Sequence, residues 1–223
     1  MRKIYVAPSI LSADFYQLDK EIEMIEKANA DYLHFDVMDG HFVNNISFGI
    51  PVLKSISSRH HLVNDVHIMI SDPLKYIEGF AKAGADIITF HLEALNNKED
   101  VYKCINLIHS FNVKAGLSIK PNTDVKECLE YLDKLDLLLV MSVEPGFGGQ
   151  SFMDNSLAKV KTLREYIDNH KYHCLIEVDG GINNETGKLV KEAGVDILVA
   201  GSYIFKAKTL EERKELIENL KKW

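Results

Sequence analysis

What most constrains this chain is a repeat of texture rather than of letters: eight short apolar runs, each followed by a stretch with helical spacing. Residues 4–11, 32–38, 62–70, 87–93, 113–119, 137–143, 175–179 and 196–200 have strand length and are punctuated by turn residues such as Gly84, Pro121 and Gly194. Helices are expected between them at 16–28, 51–58, 74–83, 98–111, 124–134, 156–170, 184–193 and 210–220. In the first of these, Leu18, Ile22 and Ile25 recur along one face while Lys and Glu fill the other. Leu137-Leu138-Leu139-Val140-Met141 and Ile197-Leu198-Val199 are apolar on both faces, which fits parallel strands covered by helices. Dividing 223 residues by eight gives about 28 per unit, with no linker or change of composition between units. The expectation is an α/β fold, a single-domain (β/α)8 TIM barrel over 1–223, rather than an open doubly wound sheet. The units number eight, and no G-x-G-x-x-G follows the first strand.

In such a barrel the chemistry lies at the carboxyl ends of the strands. The second run ends His34-Phe35-Asp36-Val37-Met38-Asp39-Gly40. Alternation puts His34, Asp36 and Met38 on one face, so an imidazole and a carboxylate stand side by side, within reach of one cation of the Zn, Fe, Co or Mn kind. Alone, such a pair reads as a hydrogen-bonded core histidine with an aspartate at the strand end. Here Asp65-Val66-His67-Ile68-Met69 repeats the pattern one unit later, and Glu177-Val178-Asp179-Gly180-Gly181 adds another carboxylate. Ser9, His91, Glu93 and Met141 complete the same end. Gly146, Gly148 and Gly149, then Gly180-Gly181, then Gly201-Ser202 follow three adjacent strands, where backbone N–H groups commonly hold a phosphate.

Strands two and seven stand on opposite sides of an eight-stranded barrel, so Asp36 and Asp179 face one another across its mouth. Inverting a carbon needs a proton removed from one side and delivered to the other, and two opposed carboxylates meet that need. A proton α to a ketone is weakly acidic; one divalent ion held by His34, Asp36, His67 and Asp179 would stabilise the enediolate as a Lewis acid. Met38, Met69 and Met141 would keep water out.

The net charge of −7 argues against a nucleic-acid partner or an anionic membrane surface, and no apolar run approaches membrane-spanning length. Cys104, Cys128 and Cys174 are odd in number and far apart, so they are read as buried thiols rather than a disulfide frame. Met1-Arg2-Lys3 leads only into a short run containing Pro8, unlike a signal peptide, and a cytoplasmic location is expected.

These residues resemble the ribulose-phosphate 3-epimerase family over nearly the whole chain. The likeness is carried by Ala7-Pro8-Ser9-Ile10-Leu11-Ser12-Ala13-Asp14-Phe15, by the phrases at 34–40, 65–69 and 177–181, and by Met141-Ser142-Val143-Glu144-Pro145-Gly146-Phe147-Gly148-Gly149-Gln150. The resemblance implies a metal on His34, Asp36, His67 and Asp179, with Asp36 and Asp179 as acid and base. It also implies substrate contacts from Ser9, His67, Met38, Met69, Met141 and Phe147, and phosphate binding by Gly146, Gly148, Gly149, Gly180, Gly181, Gly201 and Ser202. The implied reaction interconverts ribulose 5-phosphate and xylulose 5-phosphate in the pentose phosphate pathway, with a sugar phosphate as the small-molecule partner and a homo-oligomer as the assembly. Two positions depart from the family pattern. Asn44 replaces a usual proline and makes its loop less stiff, and Lys120 replaces a usual asparagine before Pro121 and is expected to reach solvent. Competing readings are the same epimerisation on a six-carbon ketose phosphate, a metal-free phosphate-sugar lyase, and a non-catalytic sensor. The lyase would want an Asp-x-Lys-x-x-Asp array that the second strand lacks, and the sensor would need neither opposed carboxylates nor four metal ligands.

Overall fold

The computed structural model describes residues 2–222, so Met1 and Trp223, at the ends of the expected domain, lie outside the described residues. Eight strands form one parallel sheet: β1 Tyr5–Pro8, β2 Tyr32–Met38, β3 Val63–Met69, β4 Ile87–His91, β5 Lys114–Ile119, β6 Leu137–Met141, β7 Leu175–Asp179 and β8 Ile197–Ala200. Hydrogen bonding runs in the order β1-β8-β7-β6-β5-β4-β3-β2. The two ends of that order meet at a thin seam. Ser9 and His34 form a single parallel bridge, and lower down Asp31 N–H donates to the Val6 carbonyl at 3.0 Å while the Asp31 carboxylate accepts Val6 N–H at 2.9 Å. The helices outside are α1 Leu18–Lys27, α2 Ile50–Ile56, α3 Pro73–Lys82, α4 Lys98–Ser110, α5 Asn155–His170, α6 Asn184–Ala193, α7 Ser202–Phe205 and α8 Leu210–Lys221.

Strand alternation divides the apolar residues between two cores. Outward-facing Phe35, Val37, Ile88, Phe90 and Leu117 pack against Ile25, Ile77, Ile105 and Leu163 of the helices. Inward-facing Tyr32, Ile87, Leu137, Leu139, Ile197 and Val199 fill the barrel itself. Full burial of each such side chain contributes about 1.5–3 kcal/mol, so the outer layer supplies most of the stabilisation.

Several boundaries differ from expectation. Between β5 and β6 there is no α-helix; two 3-10 turns, Val125–Glu127 and Leu129–Tyr131, take its place. Val125, Cys128, Tyr131 and Leu132 are the buried residues of the stretch 124–134, at spacings of three and four that serve an α-helix and a pair of 3-10 turns alike. The first strand stops at Pro8 and turns through Ile10–Ser12, which carries the chain over the barrel mouth. The fourth strand stops at His91, and the turn Leu92–Ala94 folds Glu93 back beside it. The first helix is split, with Phe15–Gln17 as a separate 3-10 turn before α1. All three cysteines are free and buried, and burial pushes the Cys104 and Cys128 thiols up to about 12. Among the described residues no helix is long and apolar enough to cross a membrane.

Candidate active site

The parallel register stacks the inward side chains of neighbouring strands in layers. His34 sits opposite Asp65, Asp36 opposite His67 and Met38 opposite Met69 along β2 and β3, while Met141 lies opposite Asp179 along β6 and β7. One donor atom from each of His34, Asp36, His67 and Asp179 comes within 4.8 Å of all the others. Asp36 Oδ2 accepts the Ser9 hydroxyl at 2.5 Å, and Asp36 Oδ1 lies 3.0 Å from His67 Nδ1 and 3.2 Å from His34 Nε2.

This arrangement fits a divalent cation on its own geometry. His34 Nε2 is fully buried and makes no hydrogen bond of good geometry, its contact with Asp36 Oδ1 being 3.2 Å. A lone orphaned ring nitrogen beside two carboxylates and a second imidazole is the donor chemistry that first-row divalent ions take. The charges are correspondingly strained. Burial raises the Asp179 carboxyl and the Asp36 charge raises it further, to about 7. Burial alone would strip a proton from His34, but Asp36 and Asp65 on either side overcome it and hold the ring well above the usual histidine range. Burial also works against the Asp36 carboxylate, which His34 and His67 nevertheless hold below its usual range. Protons gather where a cation would bind, as expected when the two compete for the same ligand atoms.

Above these residues lies a cavity of about 940 Å³. Ser9, Asp36, Met38, Met69, Met141, Asp179, Gly146, Phe147, Gly148, Gly149, Gly180, Gly181, Gly201 and Ser202 all line it, so residues from six separate stretches of sequence reach one space. His34 and His67 do not line it; both are wholly buried behind Asp36. The expected contact of His67 with substrate therefore does not follow from this geometry. Met38 and Met69 pack with Val43, under Leu11 and Phe42, into a small apolar patch at the cavity wall. The turn after β7 needs its glycines: Gly180 and Gly181 have φ of +124° and +62°, and a Cβ on Gly181 would stand 2.5 Å from the Phe152 nitrogen. Asn45 ties the loop after β2 to the one after β6 by donating to the Gly146 carbonyl at 2.7 Å; Asn44 beside it is exposed. Lys120 does not extend freely into solvent but lies with its ammonium 4.0 Å from the centroid of the Phe42 ring.

Sequence reasoning assigns Asp65 and Glu177 no role, yet both are completely buried in the layer beneath. Asp65 Oδ2 lies 2.6 Å from His34 Nδ1 and fixes that ring, leaving Nε2 to face the cluster. Burial and the neighbouring Asp65 charge hold the Glu177 carboxyl well above its usual range. The signal was parity: 65 shares a face with 67, and 177 with 179. Ser12 and Lys206 also line the cavity and were missed, the first because it follows the strand in a turn, the second because it follows a helix of only four residues.

An eight-stranded parallel barrel with its polar residues at the carboxyl ends of the strands is the architecture of the TIM-barrel enzymes. The fold is similar to that of KGPDC from Streptococcus mutans, with a TM-score of 0.70 at 15% identity, covering 99% of this chain and 96% of that one. Sequence narrows this. Residues 5–205 match the model of the ribulose-phosphate 3 epimerase family. The ribulose-phosphate 3-epimerase of Bacillus subtilis is 47% identical over 98% of both chains, and that of Mycobacterium leprae is 45% identical over 91% of this chain and 88% of its own. The chain belongs to the ribulose-phosphate 3-epimerase family and is an isomerase with that epimerase activity.

Proposed function

We propose that the protein interconverts D-ribulose 5-phosphate and D-xylulose 5-phosphate by two-base proton transfer at C3 between Asp36 and Asp179. The observation that carries this reading is the meeting of these two carboxylates, from β2 and β7, in one cavity within 4.8 Å of each other and of two imidazoles. One aspartate, ionised, removes the C3 proton from its side of the ketose; the other, protonated, delivers a proton from its own side, and the reverse reaction exchanges the roles. Ser9 donates to Asp36 and keeps the carboxylate aimed at the cavity. Met38, Met69 and Met141 present apolar surface to the reacting carbons and exclude water from the enediolate. The phosphate end sits against the N–H groups of Gly146–Gly149, Gly180-Gly181 and Gly201-Ser202, with Lys206 bringing a positive charge to the same wall. His34, Asp36, His67 and Asp179 are the residues that would hold one divalent ion of the Zn, Fe, Mn or Co kind. When bound, that ion supplies Lewis-acid stabilisation of the negative charge that develops on the enediolate oxygens.

A cytoplasmic role in the pentose phosphate pathway and a homo-oligomeric assembly accompany this reading; exposed Tyr16, Ile46 and Phe15 offer apolar surface for self-association. The test is incubation with ribulose 5-phosphate in D₂O, with deuterium followed at C3 by NMR. Exchange with inversion is expected, lost on chelation and restored by a divalent metal. Exchange confined to allulose 6-phosphate would overturn the substrate, and full exchange in rigorously metal-free protein would overturn the metal.

A further inference from the structure

A row of hydrogen bonds leaves the site on the side away from the cavity. His67 Nε2 lies 2.9 Å from His91 Nε2, and His91 Nδ1 lies 3.1 Å from Glu93 Oε2. The other Glu93 oxygen accepts Lys120 N–H at 2.7 Å and the Thr123 hydroxyl. His67 and His91 are wholly buried, and none of the three lines the cavity. Phe42 packs against His91 with ring centroids 4.8 Å apart and the rings tilted by 43°.

A contact between two imidazole nitrogens at hydrogen-bond distance requires one N–H and one lone pair, so with both rings neutral this row has only two self-consistent settings. Glu93 decides between them. As a carboxylate already accepting from two other donors, it accepts from His91 Nδ1 as well, which places the His91 proton there. His91 Nε2 is then the acceptor, His67 Nε2 is the donor, and His67 Nδ1 is left with a bare lone pair. That lone pair lies 3.0 Å from Asp36 Oδ1, also an acceptor. Two acceptors at that distance are held together by a shared cation, a proton or a metal ion.

We propose that His91 and Glu93 are positioning residues for the metal: Glu93, acting through His91, fixes His67 as the Nε2–H tautomer and so presents Nδ1 to the divalent ion. This rests on the reading of His67 as a ligand. It makes the two histidines of the site equivalent in logic, since His34 is oriented by Asp65 directly and His67 is oriented by a carboxylate one imidazole further out.

The experiment is equilibrium binding of Co²⁺ to the full-length protein, by competition with a chromophoric chelator, together with the visible absorption of the bound Co²⁺. Variants are His67→Ala, His91→Leu, His91→Gln and Glu93→Gln, with thermal melts to check folding. His91→Leu is expected to weaken Co²⁺ binding about 10- to 100-fold and to shift the Co²⁺ bands. His91→Gln can accept from His67 and donate to Glu93 in series, and is expected to restore most of the affinity. Glu93→Gln, which can turn its amide toward His91, is expected to weaken binding less than His91→Leu while still moving the bands. Wild-type affinity and spectrum in both His91→Leu and Glu93→Gln would overturn the positioning role and leave the ligand assignment standing. Unchanged binding in His67→Ala would overturn the ligand assignment itself. Should His91→Leu fail to fold, Glu93→Gln and His91→Gln carry the test.

Discussion

Strand β4 has two faces of equal burial and opposite character. Ile88 and Phe90 look toward the helices and Thr89 and His91 look toward the barrel axis, and all four are at or near zero exposure. Outside, Ile88 and Phe90 belong to the apolar layer between sheet and helices. Inside, buried polar side chains gather, among them His34, Asp36, Asp65, His67, His91 and Glu177, and Thr89 Oγ1 and Ser118 Oγ have no hydrogen-bond partner. Each such group costs about 1–3 kcal/mol when left unsatisfied. An interior carrying several of them is stabilised by its surroundings, and the difference teaches that one β-sheet here serves folding with one surface and chemistry with the other.

The sharpest way to break that comparison is to change an inward residue and look for a loss of stability in place of a loss of turnover. Asp179→Asn keeps size and shape, and is expected to lower kcat/KM about 1,000-fold while leaving the melting temperature nearly unchanged; a loss below tenfold in a steady-state epimerase assay would remove Asp179 from the acid-base pair. The opposite change is Phe90→Ala, which empties space between sheet and helices. It is expected to cost about 3–5 kcal/mol in urea unfolding and to leave kcat of the folded fraction close to wild type. A large fall in kcat with little loss of stability would erase the division between faces. The smallest effect belongs to Asp39, in the loop that joins the two kinds of region. Its carboxylate accepts His41 N–H and Phe42 N–H at 2.8 Å and both the N–H and hydroxyl of Ser71. Against a modest cost of burial these donors hold it at about 2, below the unfolded 3.8. A depressed carboxyl adds stability that is fully present above the unfolded value and is lost as pH falls through the folded one. Wild type is therefore expected to exceed Asp39→Asn by about 1 kcal/mol at pH 6, with the gap closing between pH 4 and 2 in paired melts.

The short apolar runs were enough to read all eight strands, because run length and turn punctuation are local properties. Asp36, Asp179 and the glycine turns were legible for a related reason: they stand at strand ends, and strand ends share one rim. What lay hidden depended on register across strands. That His34 Nδ1 meets Asp65, or that His91 stands between His67 and Glu93, follows from how far each strand is shifted against the next, and no single run of sequence records that shift. The residues at 124–134 misled because the buried set Val125, Cys128, Tyr131 and Leu132 recurs at spacings of three and four, which satisfy both a tight and an ordinary helix.

The thin seam between β1 and β2 has a bearing on how the molecule fails. Near the mouth the barrel is clasped by the Ser9–His34 bridge, with the Ser9 hydroxyl anchored on Asp36. The fastener of the cylinder and part of its reactive apparatus are thus the same residues. Loosening at that clasp would disarm the enzyme before it unfolded, so loss of turnover should run ahead of loss of structure on heating.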